Sequence, residues 1–67
     1  MKEWEYLLVK PSIYIRTALE KMDKVNSKLL IVTEGNKFKS VLSIGDIQRA
    51  ILNSVPLDSK IINIFRD

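Results

Sequence analysis

The sequence predicts a small α/β unit of the α+β kind, a layer of one sheet and two helices in the order β-α-β-β-α. Three observations carry that prediction. Apolar residues recur at three and four places from Ile15 to Val25. Two β-rich runs flank Gly35-Asn36. A second amphipathic stretch, from Ile44 to about Asn53, follows the second run with no spare residues between them.

Tyr6 to Val9 is a short apolar run that suits a buried strand, and Pro11 stops it while pushing Lys10 toward an extended conformation. Trp4, the only Trp, is expected to anchor on the core or on a partner chain. In the first helix Ile15, Ala18, Leu19, Met22 and Val25 form one buried face. Glu20 and Lys24 can pair on its wet side for a few tenths of a kcal/mol. Tyr14 stands where a Ser or Thr cap is expected, and Asn26 and Ser27 close the helix.

Lys28 to Thr33 is the second strand. Gly35-Asn36 supplies the positive φ values of a tight hairpin turn. Phe38 to Leu42 returns, with Phe38, Val41 and Leu42 as the inward candidates. The second helix should bury Ile47, Ala50 and Ile51, and Asn53, Ser54 and Pro56 end it. Leu57 to Asp67 carries Ile61, Ile62, Ile64 and Phe65, so it must return to the sheet or reach into a partner.

At 67 residues the chain makes one small domain, 1–67, and buries a modest share of its surface. It has no Cys and no His, which removes disulfide staples and the usual zinc ligand sets. Self-association is the expected remaining support. The longest apolar runs are four residues, too short to span a bilayer, and the charged opening has no secretory apolar core, so a cytoplasmic protein is expected. Net charge is +3, but the 11 Lys and Arg are interleaved with 8 acids and form no stripe that would track nucleic acid.

Catalysis is not supported. Without His or Cys the titrating and attacking groups reduce to carboxylates, Lys, Tyr, Ser and Thr, and no two acids are spaced to share a cleft. The two glycines lie ten apart in different turns, so neither phosphate-binding glycine motif is present. Asp23, Asp46 and Asp58 do not have the spacing of a metal loop.

The junction of the last strand and the second helix is the informative stretch. Ser43 and Asp46 have the spacing of a reciprocal cap, and Gly45 between them lets another group approach the backbone. A fresh helix start also favours phosphate. The junction is therefore a helix cap, a phosphate cradle, or both. Arg49, one turn on, is either a solvated side chain or a phosphate contact.

Ser27 to Leu52, SKLLIVTEGNKFKSVLSIGDIQRAIL, resembles the second half of a cystathionine-β-synthase (CBS) domain, and Pro11 to Met22 resembles that family's first helix and its approach. The resemblance implies a mostly mixed sheet with both helices on one face. It also implies a unit that works in pairs and holds AMP, ADP, ATP or S-adenosylmethionine in clefts, with no cofactor requirement. By that resemblance Ser43 matches the phosphate-side Ser or Thr and Asp46 the ribose-binding Asp. Gly45 and Arg49 lie beside them, and adenine would sit around Ile13, Tyr14 and Lys28 to Leu30. The family usually has Gly where Ser40 stands and Ser or Thr where Tyr14 stands, departures expected to narrow or fill the cleft. Residues 6–59 form the core unit, and 60–67 resemble the lead-in to a following segment. The expectation is a piece of a longer protein or a homodimer. Trp4 shortly before Leu8-Val9-Lys10-Pro11 resembles CBS units attached to sugar-phosphate nucleotidyltransferases. The implied role is regulatory, and the alternative is a dimerisation module without a ligand.

Overall fold

The computed structural model describes residues 4–65. A 3-10 turn over Glu5–Leu7 leads into β1 (Leu8–Val9). α1 (Ile15–Val25), β2 (Leu29–Glu34), β3 (Lys37–Ser43) and α2 (Ile44–Leu52) follow, and a second 3-10 turn spans Ile61–Asn63. β2 is central, parallel to β1 and antiparallel to β3, which gives the expected mixed sheet. The first strand is shorter than Tyr6 to Val9. The Leu7 N–H donates to the Trp4 carbonyl at 3.0 Å, so Tyr6 and Leu7 belong to the turn. The two ends of the chain beyond 4–65 lie outside the described residues.

Alternation along the strands divides the sheet into two faces. Leu30, Val32, Ser40 and Leu42 are buried beneath the helices, which contribute Ile15, Ala18 and Met22 from α1 and Ile47 and Ala50 from α2. Both helices pack on this face and against each other. Ile51, expected on the buried stripe, is exposed instead. The narrow face of a nine-residue helix is filled by Ile47 and Ala50, and Ile51 falls at its edge.

Phe38 is the clearest correction. By simple alternation it would join Ser40 and Leu42 inside, yet it is 65% exposed. Val32 pairs with Ser40 and Thr33 pairs with Phe38, so β3 advances two residues while β2 advances one. That bulge places Lys39 as the extra residue and inverts the parity beyond it. Val41 needs no such device: it lies between Ser40 and Leu42 and faces outward. The hairpin turn itself is as expected, with Gly35 at φ +55° and Asn36 at φ +65°.

The apolar tail returns to the entrance of α1 and not to the sheet. Ile15 N–H donates to Ser59 O, Arg16 N–H to Leu57 O and Ile61 N–H to Ile13 O, each at 2.9 Å. Those bonds supply the start of α1, which has no side-chain cap from Tyr14. Ile61 is fully buried. Replacing Ile61 with Ala is expected to cost about 2–5 kcal/mol through lost burial and a cavity. Leu52→Ala, at a side chain 82% exposed, should stay within about 0.5 kcal/mol. Urea unfolding of both variants checks this, and equal costs would contradict the docking of the tail.

Candidate functional site

β3 ends at Ser43 and α2 begins at Ile44, so the strand's last side chain is also the helix cap. Asp46 Oδ2 accepts the Ser43 N–H at 2.8 Å and the Ser43 hydroxyl at 3.1 Å, while Ser43 Oγ accepts the Asp46 N–H at 3.2 Å. The reciprocal cap read from the spacing is present. The Lys28 carbonyl takes the Ile44 N–H at 2.8 Å, which joins the start of β2 to the same corner.

Asp46 also binds Arg49. The guanidinium Nη2 donates to Asp46 Oδ1 at 2.6 Å, with the Arg49 side chain 56% exposed and that of Asp46 only 11%. The i,i+3 spacing of an acid and a base on one helix is a signal for this pair that the sequence reading left unused. Gly45 has room for the guanidinium, whose Nη1 lies 3.5 Å from where a Cβ would stand.

The other expected site residues lie elsewhere. Leu30 is fully buried on the helix-facing side, so its side chain is core. Ser40 is buried on that side too, and its hydroxyl donates to the Val41 carbonyl at 3.4 Å, so it occupies interior space and does not narrow a surface cleft. Ile13 is half-buried. Tyr14 is half-exposed, bridged to Lys60, at the end of the sheet that carries the Gly35-Asn36 turn. Ser43, Gly45, Asp46, Arg49 and Lys28 occupy the opposite end. β2, about 17 Å long at roughly 3.3 Å per residue, runs between the ends at which Tyr14 and Ser43 stand. One copy of the chain therefore does not bring Tyr14 and Asp46 together.

The outer face of the sheet carries a groove lined by Trp4, Leu8, Ile31, Thr33, Phe38 and Val41. Among the described residues no helix is long and apolar enough to cross a membrane.

Burial raises the Asp46 pKa, but the hydrogen bonds from the Ser43 N–H and hydroxyl and from Arg49, with the charge of Arg49, outweigh it and leave the carboxyl below the ordinary aspartate value. A depressed carboxyl stabilises the fold fully above the unfolded value near 3.9, and that contribution is lost as pH falls through the lower folded value. The difference in urea midpoint between the wild type and Asp46→Asn should be constant from about pH 5 to 7 and shrink below about pH 4. A difference that widens in acid would contradict the hydrogen-bonded carboxylate.

No protein-family profile and no curated protein matches the chain. Solved structures do. A cystathionine β-synthase domain protein fused to a Zn-ribbon-like domain superposes with a TM-score of 0.84 at 16% identity, covering 90% of this chain and 89% of that one. A CBS domain protein from Pyrobaculum aerophilum complexed with AMP gives 0.83 at 22% identity, over 91% of this chain and 49% of the other. A CBS domain pair/ACT domain protein from Thermotoga maritima gives 0.73 at 23%, over 96% and 50%. The chain thus spans about half the length of the last two. It has the fold of a single CBS domain.

Proposed function

We propose that the chain is a regulatory module that binds an adenosine nucleotide in a cleft shared by two copies and passes that state to an attached or associated enzyme. The observation that carries this reading is the corner at Ser43, Gly45, Asp46 and Arg49, a carboxylate and a guanidinium held together at a helix start. The Pyrobaculum protein of the same fold, complexed with AMP, supports the class of ligand.

The separation of Tyr14 from Asp46 supports the need for two copies. If two sheets pack through their outer faces and run in opposite directions, Ile13 and Tyr14 of one copy approach Ser43 and Asp46 of the other. Adenine then has an aromatic and apolar wall from one copy, and ribose and phosphate have the polar corner of the second. A ligand that touches both copies stabilises the pair by mass action, and that differential affinity is what an attached enzyme would sense. By the resemblance of its opening residues that enzyme is a sugar-phosphate nucleotidyltransferase, and the setting is the cytoplasm. The module itself carries no catalytic role in this reading.

A dimerisation module without ligand is the second reading. It is favoured by the apolar outer face, where Phe38 is exposed and Trp4 and Val41 are partly so.

Calorimetric titration of AMP and ATP separates the two. The wild type should bind, and Asp46→Ala should lose about 1.5–3 kcal/mol of binding, as for a hydrogen bond to a charged group. Its melt should show a stability loss of about 1 kcal/mol from the missing cap. No shift in melting temperature with millimolar AMP, ADP, ATP or S-adenosylmethionine would leave the ligand-free reading. In sedimentation the chain should run as a dimer at micromolar concentration, and a monomeric mass would remove both readings.

A further inference from the structure

The two oxygens of Asp46 are unequally committed. Oδ2 closes the helix cap through Ser43, whereas among the described residues Oδ1 is held by Arg49 alone, at 2.6 Å. A carboxylate that grips ribose hydroxyls must offer an oxygen, and Oδ1 is the one that can be given up without opening the cap. Arg49 stands in the way. Its guanidinium folds back along α2 over Gly45, with Nη1 and Nη2 3.5 and 4.0 Å from where a Cβ would stand, so it covers the acceptor and the bare backbone beside it. That direction opposes the helix dipole, which favours cations at the last turn and disfavours them at the first. Asp46 is the partner that keeps it there. The arginine is more than half exposed, so solvent competes for the pair and little is needed to break it.

We propose, resting on the reading of Asp46 as the ribose ligand, that Arg49 is a specificity-determining latch. It holds Asp46 Oδ1 in the free protein and moves onto the phosphate when ribose displaces it. A nucleoside must break the ion pair and leaves the guanidinium unpaired beside the positive end of α2. A nucleotide breaks the same pair but supplies an anion that both the guanidinium and the helix end favour. The latch therefore penalises adenosine and admits AMP, whereas a fixed phosphate contact would favour AMP without weakening adenosine.

The test is calorimetric titration of adenosine and of AMP into the full chain as wild type, Arg49→Gln and Arg49→Lys, with a urea melt of each. Adenosine should bind Arg49→Gln about three- to fivefold tighter than the wild type, the range of an exposed ion pair removed. AMP should bind it no tighter, so the preference for AMP over adenosine falls about tenfold or more, the loss of a charged contact to phosphate. Arg49→Lys, which keeps the charge but not the fork, should fall between, and it carries the comparison if Arg49→Gln melts early. Adenosine affinity unchanged or reduced in Arg49→Gln, or AMP gaining as much as adenosine, would overturn the latch while leaving the nucleotide site standing. If neither compound binds the wild type, the nucleotide reading fails and the latch falls with it.

Discussion

The structure depends on a junction with no slack. β3 gives way to α2 between Ser43 and Ile44, and the chain must turn there while satisfying the N–H groups of a new helix. Ser43 and Asp46 meet that need by bonding each other's backbone, and Lys28 O closes the corner from the neighbouring strand. Because the corner is fixed from two strands and one helix, α2 leaves at an angle that lays Ile47 and Ala50 on Leu30 and Leu42. The side chains that could meet a ligand are thus the ones that set the fold's geometry. The two oxygens of Asp46 divide the work, Oδ2 closing the cap with Ser43 and Oδ1 holding Arg49.

The helices and the hairpin were legible because each rests on local chemistry. Ile15, Ala18 and Met22 repeat at helical spacing, Gly35-Asn36 takes the left-handed turn, and Asn26 ends α1 in the left-handed conformation at φ +54°. What failed was anything set by a partner strand. Phe38 obeys alternation until the register slips at Val32/Thr33, and nothing in Phe38 or its neighbours announces that slip. The destination of the tail was equally invisible. Ile61 shows only that something must be buried, whereas the backbone of Ile13 decides where.

The candidate site was legible in part for the same reason. Ser43 and Asp46 read correctly as a cap because three residues of sequence contain the whole motif. Arg49 was singled out, but its attachment to Asp46 was not, although their spacing permitted it. Ile13 and Tyr14 were grouped with Ser43 through the resemblance to a family whose units work in pairs, and the topology places them at opposite ends of the sheet within one copy. Linear motifs name residues, and only the crossing of α1 over the sheet says at which end of the molecule they stand.

The bulge at Lys39 has a consequence for how the molecule behaves among its neighbours. One surplus residue rotates a benzyl group out of the interior, beside Thr33, where it enlarges a greasy plateau on an otherwise charged particle. A backbone irregularity in the ladder thereby governs stickiness: were Lys39 paired with Thr33 in a regular ladder, the aromatic ring would turn inward, crowding the helices and leaving the plateau smoother and more water-compatible. Solubility and sociability in this chain are set by strand arithmetic as much as by composition.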